Sequence, residues 1–298
     1  VIITGANSGL GKETARQLGL NPNIKKIYLF CRNYENAIKA KIDLEKTTGR
    51  KVFTIISINL NDFSSVKNSI TRLEDSVDAI IMNAGSTDMD EAKKMNSDGV
   101  NQLVASNLIG HALLLNELLK KNLLKEVAIY SSSEVIRGVP SLMIKKPKFE
   151  KYTFEEFIDI CDGSFFKKKS NVKDSYGYIK YLATLWISHM SREYKNIRFV
   201  AVSPGTTYGT KISKKPFTIK RFIIHKILLS FGLMHKLEVG AKRYIDVLFD
   251  NKFKSGFFYA SPPGRGTGKL IEQNKFYEGL NDKNHQYNAS KDINFFIN

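Results

Sequence analysis

The sequence predicts an α/β fold, a doubly wound parallel sheet with helices on both faces. Three observations predict it. Over residues 1–130 apolar strand patterns alternate with amphipathic helix patterns, the connections are short, and a glycine-rich turn joins the first strand to the first helix. Strands in such alternation require a parallel sheet covered on both faces. Because no linker or repeat interrupts the pattern, residues 1–298 are predicted to form a single domain.

The elements of the first half follow from their own residue patterns. Continuous apolar runs indicate buried strands, and apolar residues three and four apart indicate helices. Gly49 ends the second helix, and Asp62 opens the third. In chain order the segments are VIITG, GLGKETARQLGL, KKIYLFCR, NYENAIKAKIDLEKTTG, KVFTIISINL, a helix from Asp62, and VDAIIMNAG.

The second half continues with longer helices. A helix is predicted from Ser175 to Tyr194, with Asp174 as its N-cap. The segments around it are the long helix GVNQLVASNLIGHALLLNELLKK, the strand KEVAIYSSS, the strand IRFVAVSPG and a last strand, SGFFYAS.

Two segments depart from the alternation and are predicted to be lids over a substrate. Residues 134–173 include the short amphipathic stretch TFEEFIDIC, and residues 206–237 include FTIKRFIIHKILLSFGLM. Both leave the sheet at the carboxyl ends of strands, where ligands bind in open α/β sheets. The apolar and basic stretch at about 216–235 has two further interpretations, a dimer contact and a peripheral membrane contact.

Composition narrows the classes of partner. With 42% hydrophobic residues the chain is globular, and its two cysteines, Cys31 and Cys161, are too few for a disulfide framework. The net charge of +17 comes from scattered lysines, so a nucleic-acid partner is not favoured.

No apolar run reaches the roughly 20 residues of a membrane span. We expect a reducing compartment such as the cytoplasm; an organelle is the alternative, because the chain begins on an apolar strand without methionine.

The stretch TGANSGLG, residues 4–11, predicts a dinucleotide site. Its glycines at 5, 9 and 11 permit a tight turn and let the backbone approach a pyrophosphate, whose charge is favoured at a helix N-terminus. The second strand ends in FCRN, so Arg32 stands where a ribose 2'-phosphate requires an arginine. The predicted cofactor is therefore NADP(H), with Asn33 and Lys12 near Arg32.

The stretch DSYGYIKYL, residues 174–182, predicts a tyrosine and lysine pair. Helix residues four apart share a face, so Tyr176 lies beneath Lys180, whereas Tyr178 and Tyr181 face elsewhere. Acid/base work at neutral pH requires the pKa of a tyrosine to fall by roughly 3 units, and a cationic Lys180 favours the phenolate. Tyr176 is the predicted acid/base, and a solvated surface pair is the alternative interpretation.

With these motifs in this order, the chain resembles the short-chain dehydrogenase/reductase family over nearly its full length. The other matching pieces are Asn-Ala-Gly at 83–85, the asparagine of SNLIGH, the serines of YSSSE, and Pro-Gly at 204–205. The resemblance implies a Rossmann-type fold and NADP(H)-dependent hydride transfer to or from a carbonyl, alcohol or conjugated double bond of an apolar substrate. Within the family the chain is most similar to the branch of light-dependent protochlorophyllide reductases and retinol dehydrogenases.

The resemblance also implies a role for each matching residue. Tyr176 transfers the proton, Lys180 tunes it and holds the nicotinamide ribose, and Asn107 holds a water that relays protons to Lys180. A serine binds the substrate oxygen; alignment selects Ser132, with Ser133 as second choice, and Ser131 is the third in the run. The residues implied to bind the cofactor are Thr4, Gly5, Asn7, Ser8, Gly9, Leu10, Gly11, Arg32, Asn59, Leu60, Asn83, Ala84, Gly85, Tyr176, Lys180, Pro204 and Gly205.

The alternative function is that of a catalytically silent dinucleotide-binding sensor or scaffold. The intact set of asparagine, serine, tyrosine and lysine argues against it. The expected partner is a small apolar substrate. Both a monomer and a homodimer are compatible with the sequence. The histidines His111, His189 and His225 are interpreted as structural or exposed.

Overall fold

An eight-stranded sheet in the order β3-β2-β1-β4-β5-β6-β7-β8 organises the protein. A computed structural model describes residues 1–88, 90–140, 145–168, 174–209 and 228–297. The first seven strands run parallel, and β8 pairs antiparallel with β7. The strands are β1 Ile2–Thr4, β2 Ile27–Cys31, β3 Phe53–Ser57, β4 Val77–Met82, β5 Leu124–Ser131, β6 Arg198–Val202, β7 Phe258–Ala260 and β8 Ile271–Glu272.

Helices cover both faces of the sheet and bury its apolar strands, as predicted. On one face α3, α5 and α8 enclose a core that includes Trp186; on the other, α1, α2 and α9 enclose a core that includes Leu18 and Tyr244. The helices are α1 Gly9–Gly19, α2 Tyr34–Thr48, α3 Phe63–Ile70, α4 Gln102–Val104, α5 Gly110–Lys120, α6 Phe154–Cys161, α7 Ser164–Lys168, α8 Ser175–Glu193, α9 Leu237–Phe249 and α10 Lys283–Ile297.

The predicted helix boundaries in the first half are confirmed. Gly49 follows α2 in the left-handed region, with φ of 68°, and its N–H caps the helix on Glu45. At α3, the Asp62 carboxylate accepts a hydrogen bond from the Ser65 amide, which satisfies one of the free donors of the first turn.

Four details of the second half differ from the prediction. The long helix begins only at Gln102, and a π-helical turn, Ala105–Ile109, separates α4 from α5. Asp174 has helical backbone angles, and its side chain makes no capping hydrogen bond at α8. The antiparallel strand β8 and the helix α10 lie beyond the strand that was expected to be last. The residue patterns of β8 and α10 are weak. Both elements are stabilised by packing, β8 against β7 and α10 against α8.

The described part of the first predicted excursion, residues 134–140 and 145–168, is packed against the body of the protein. Its helix α6 forms at the predicted amphipathic stretch, with Thr153 as N-cap, and buries Phe157 and Ile160 in the core next to α8 and α10. The second excursion lies mostly outside the described residues, as do most of the segment 216–235 and His225. In the part of the chain that the structure describes, no helix is long and apolar enough to cross a membrane.

Candidate active site

A cavity of about 630 Å³ opens where β1, β4, β5 and β6 end, at the point where the strand order reverses. Such a crevice at the carboxyl ends of parallel strands is the usual ligand site of this architecture, and its volume is in the usual range. Its lining comprises Thr4, Gly5, Asn7, Ser8, Gly9, Leu10, Phe30, Arg32, Asn33, Asn36, Ile58, Asn59, Leu60, Asn61, Asn83, Ala84, Gly85, Ser86, Thr87, Glu91, Ser106, Ser131, Ser132, Ser133, Val135, Tyr176, Lys180, Pro204, Gly205 and Thr207.

The glycine-rich turn forms a cradle at one wall of this cavity. Gly5 has φ of 67°, which L-residues rarely adopt, and the turn leads into the N-terminus of α1 at Gly9. Gly11 lies behind the turn and is not among the residues that line the cavity. A Cβ there would be 2.5 Å from the carbonyl oxygen of Gly5, so this close packing requires glycine. Its contact with the cofactor stays a prediction. The free N–H groups of the α1 N-terminus suit a pyrophosphate.

The far end of the cavity is polar and open to solvent. The Arg32 side chain is 63% exposed, and its Nη1 lies 3.9 Å from Oε1 of Glu91. Asn36 also lines this end, and the Asn33 side chain caps α2 by accepting from the Asn36 amide. Lys12, expected near Arg32, instead forms an ion pair of 2.6 Å with Asp43. Among the described residues that line this end, Arg32 is the cation available to an anionic group.

Tyr176 and Lys180 lie together at the inner end of the cavity, as the helix spacing predicted. The Lys180 Nζ is 5.4 Å from the centre of the Tyr176 ring, and the Lys180 residue is 2% exposed. Its Nζ donates to the Ser131 carbonyl at 2.8 Å and to the Tyr130 hydroxyl at 3.1 Å. The buried lysine thus has two fixed acceptors beneath the tyrosine.

The ionisation of the pair is governed by burial. Loss of water around Lys180 lowers its pKa from 10.5 to about 7. Burial also raises the pKa of Tyr176 above its ordinary value of 10, with a further increase from Tyr244 and an opposing effect of a hydrogen bond with Ser133. The direction is opposite to the depressed tyrosine pKa expected from the sequence. Tyr176 is therefore protonated at neutral pH, which suits a proton donor.

The three consecutive serines have three different neighbours. The Ser131 hydroxyl is 2.6 Å from the Tyr244 hydroxyl, and the Ser132 hydroxyl is 2.8 Å from that of Thr184. Ser132, preferred from alignment, is 2% exposed and bonded to α8. Ser133, the second choice, accepts from the Val135 amide at 3.4 Å and lines the cavity with Tyr176. Of the three serines, it is the one whose hydroxyl opposes the rise in the pKa of Tyr176.

Asn107 lies in the π-helical turn and is fixed by its side chain. Its Nδ2 donates to the Ser86 and Leu103 carbonyls at 2.9 and 2.8 Å. A Cβ on Gly85 would be 2.6 Å from Asn107 Oδ1, so only glycine permits this approach. The Asn107 side chain does not line the cavity.

The main-chain carbonyl of Asn107 accepts hydrogen bonds from two buried side chains, Tyr130 and His111. The sequence did not indicate that these two residues lie together. The Tyr130 hydroxyl donates to this carbonyl at 2.7 Å, and His111 Nδ1 lies 3.4 Å away. His111 Nε2 is 2.9 Å from the Thr4 hydroxyl, which accepts from the Ala84 amide. Burial and the charge of Lys180 lower the pKa of His111 to about 3, so it is neutral and structural.

Most of the predicted cofactor residues line one cavity, and several lining residues were not predicted. The unpredicted group comprises Phe30, Asn36, Ile58, Asn61, Ser86, Thr87, Glu91, Ser106, Val135 and Thr207. They carry no motif of their own; only their position after a strand end could have indicated them. Among the described residues, no three His, Cys, Asp or Glu side chains come together as a metal site.

Comparisons with known proteins agree with this geometry. Residues 1–129 match the family model described as short chain dehydrogenase. Human retinol dehydrogenase 11 is 33% identical over 131 residues, which cover 43% of this chain and 39% of that protein. Human retinol dehydrogenase 13 is 29% identical over 210 residues, which cover 69% of this chain and 58% of that protein. The matched part is thus less than two thirds of the length of these relatives.

A solved structure is similar over nearly the whole chain. It is that of a putative uncharacterized protein from Mycobacterium paratuberculosis, with a TM-score of 0.72 and 19% identity. The superposition covers 99% of this chain and 92% of the other. At this identity the similarity shows the shared fold, including the doubly wound sheet.

The buried lysine predicts a specific pH dependence of stability. Between pH 7 and 10.5 the unfolded state binds a proton that folded Lys180 does not, so the free energy of unfolding rises with pH in this window. We expect urea unfolding at pH 7, 8 and 9 to show this slope in the wild type. In Lys180→Met the slope falls by up to about 1.4 kcal/mol per pH unit. The exposed Lys39→Met is the control, and equal slopes in all three proteins would contradict the prediction.

Proposed function

We propose that the chain is a member of the short-chain dehydrogenase/reductase family, which its matches support, and that it is an NADPH-dependent oxidoreductase in which Tyr176 is the acid/base. The proposed reaction reduces a carbonyl or a conjugated double bond of an apolar substrate, or oxidises the corresponding alcohol. The observation that carries the proposal is that the glycine cradle and the Tyr176 and Lys180 pair share one cavity.

The residues that line the cavity suit a nicotinamide dinucleotide. The α1 N-terminus would hold the pyrophosphate, Asn59 and Leu60 the adenine, and Arg32 a 2'-phosphate. A protonated Lys180 has a third N–H beyond its two acceptors, and this N–H would bind the nicotinamide ribose. When bound, NADPH supplies the hydride.

The remaining steps belong to the side chains of this protein. In the reduction of a carbonyl, the substrate oxygen accepts hydrogen bonds from Ser133 and Tyr176, which stabilise the charge that develops there. As hydride reaches the carbonyl carbon, the π electrons move to oxygen and the Tyr176 hydroxyl gives up its proton to it. The product is the alcohol, and the Tyr176 phenolate is stabilised by protonated Lys180 until a proton from solvent restores the phenol.

Support for an apolar substrate comes from the relatives. The matched human proteins are named for retinol, an apolar polyene alcohol. The most direct test is oxidation of NADPH with a panel of apolar aldehydes and ketones that includes retinal and a conjugated enone. Tight NADPH binding without turnover of any member would instead support the silent sensor or scaffold.

Tyr176→Phe tests the acid/base. It removes the hydroxyl and keeps the ring, so we expect kcat to fall by at least about 100-fold, because a positioned general acid contributes 10²–10⁴. The Kd for NADPH, measured by fluorescence, changes less than about threefold. Tyr178→Phe is the matched control: its hydroxyl bonds the main chain of Lys148, and its activity stays near that of the wild type. Equal activity in Tyr176→Phe would exclude the assignment.

Ser133→Ala and Ser132→Ala distinguish the two serine assignments. We expect Ser133→Ala to lower kcat by about 100-fold, the cost of one donor to a developing oxyanion. Ser132→Ala loses only the bond to Thr184, so its unfolding free energy falls by about 1 kcal/mol while kcat changes less than about threefold. The reverse pattern would restore the choice made from alignment.

Arg32→Ala tests the 2'-phosphate contact. Loss of a charge-assisted hydrogen bond predicts a KM for NADPH about 10-fold to 100-fold higher, with the KM for NADH nearly unchanged. Lys12→Ala is the control because that lysine is paired with Asp43. If Arg32→Ala affects both cofactors equally, Arg32 does not recognise the phosphate.

A further inference from the structure

Tyr130 lies between Lys180 and Asn107, at a place that neither the predicted site nor the proposed mechanism uses. Its hydroxyl accepts from Lys180 Nζ at 3.1 Å and donates to the Asn107 carbonyl at 2.7 Å, and the residue is fully buried. We propose that Tyr130 is a positioning residue that holds the Lys180 ammonium beneath Tyr176 and connects it directly to the main chain of Asn107. This inference rests on the proposed function for its effect on turnover.

The direction of both hydrogen bonds is fixed by chemistry. A carbonyl oxygen only accepts, so the single Tyr130 hydroxyl proton points to Asn107. The lone pairs of the phenol oxygen then face Lys180, which donates to them. The family resemblance implied that Asn107 reaches Lys180 through a water; here the Tyr130 side chain contacts both the Asn107 carbonyl and Lys180. A phenol on a β-strand keeps its position, whereas a water has to be ordered anew.

The ring of Tyr130 contributes as well as its hydroxyl. Lys180 Nζ is 4.6 Å from the ring centre, a distance at which the π face attracts a cation. Together with the Ser131 carbonyl, these contacts favour the charged form of a lysine that burial disfavours. Removing the hydroxyl alone therefore lowers the pKa of Lys180 further.

The other titratable groups around Lys180 keep their charge state near neutral pH. Tyr176 on α8, Tyr244 on α9 and Tyr130 itself have pKa values raised by burial, and His111 on α5 has one lowered to about 3. Of these named groups and Lys180, only the lysine changes charge near pH 7. Its titration can therefore be followed without interference from them.

Tyr130→Phe tests the proposal in a readout that does not require activity. With lysines labelled at 13Cε, NMR titration identifies Lys180 as the signal that titrates far below the others and that is missing in Lys180→Met. We expect its midpoint to fall by about 1 pH unit in Tyr130→Phe, which is the size of one hydrogen bond to a charged group. Tyr181→Phe, a buried hydroxyl removed from the same helix as Lys180, leaves the midpoint unchanged. An unchanged midpoint in Tyr130→Phe, or an equal shift in both variants, overturns the proposal.

A second measurement uses the unaltered protein and covers the case in which Tyr130→Phe fails to fold. The 13Cζ signal of Tyr130 should shift with the same midpoint as Lys180, because the phenol oxygen accepts from the titrating amine. A Tyr130 signal that is insensitive to pH between 5 and 9 contradicts the proposal.

Turnover separates this inference from the proposed function. In an active enzyme, we expect Tyr130→Phe to lower kcat by about 10-fold and to shift the pH profile of kcat relative to Tyr181→Phe, with the KM for NADPH changing less than about threefold. If the wild type reduces no substrate while the NMR shifts occur as expected, the proposed function fails and the role of Tyr130 in holding Lys180 stands.

Discussion

The burial of one lysine amine is the constraint on which the active site depends. A pKa lowered from 10.5 to about 7 corresponds to roughly 5 kcal/mol against the charged form of Lys180. The apolar packing of α8 overcomes this penalty: nearly every residue of the helix from Ser175 to Ser188 is buried. Lys180 cannot turn to solvent without lifting that helix from the sheet, so the core that stabilises the fold also holds the amine under Tyr176.

A chain of polar groups connects this amine to the opposite side of the site. Lys180 contacts Tyr130, Tyr130 contacts the Asn107 carbonyl, and His111 joins that carbonyl to Thr4 at the end of β1. Each group in the chain is buried and has a partner, which avoids the cost of an unsatisfied polar atom. Hydrogen bonds as well as packing therefore hold β1, which leads into the glycine cradle, in a fixed position relative to α8, which carries Tyr176 and Lys180.

The two ends of the cavity operate in different dielectric surroundings. Lys180 is 2% exposed, whereas the Arg32 side chain is 63% exposed. Charges interact strongly where water is excluded and weakly where it is not. The inner end is suited to stabilising charge during a reaction, and the outer end to selecting an anionic group with a contact that salt weakens.

The strand and helix alternation, the doubly wound sheet, the glycine cradle and the choice of Tyr176 over Tyr178 could be predicted from the residues alone, because they follow from local periodicity and turn chemistry. Three features required the folded chain: which serine affects the pKa of Tyr176, the packing of Gly11 behind the cradle, and the rise in the pKa of Tyr176. These depend on distances between β5, α1 and α8, which are far apart in the chain. Tyr130 shows the limit of prediction from sequence. Its place in an apolar strand predicts only a core residue, and the role of its hydroxyl follows from its position between Lys180 and Asn107.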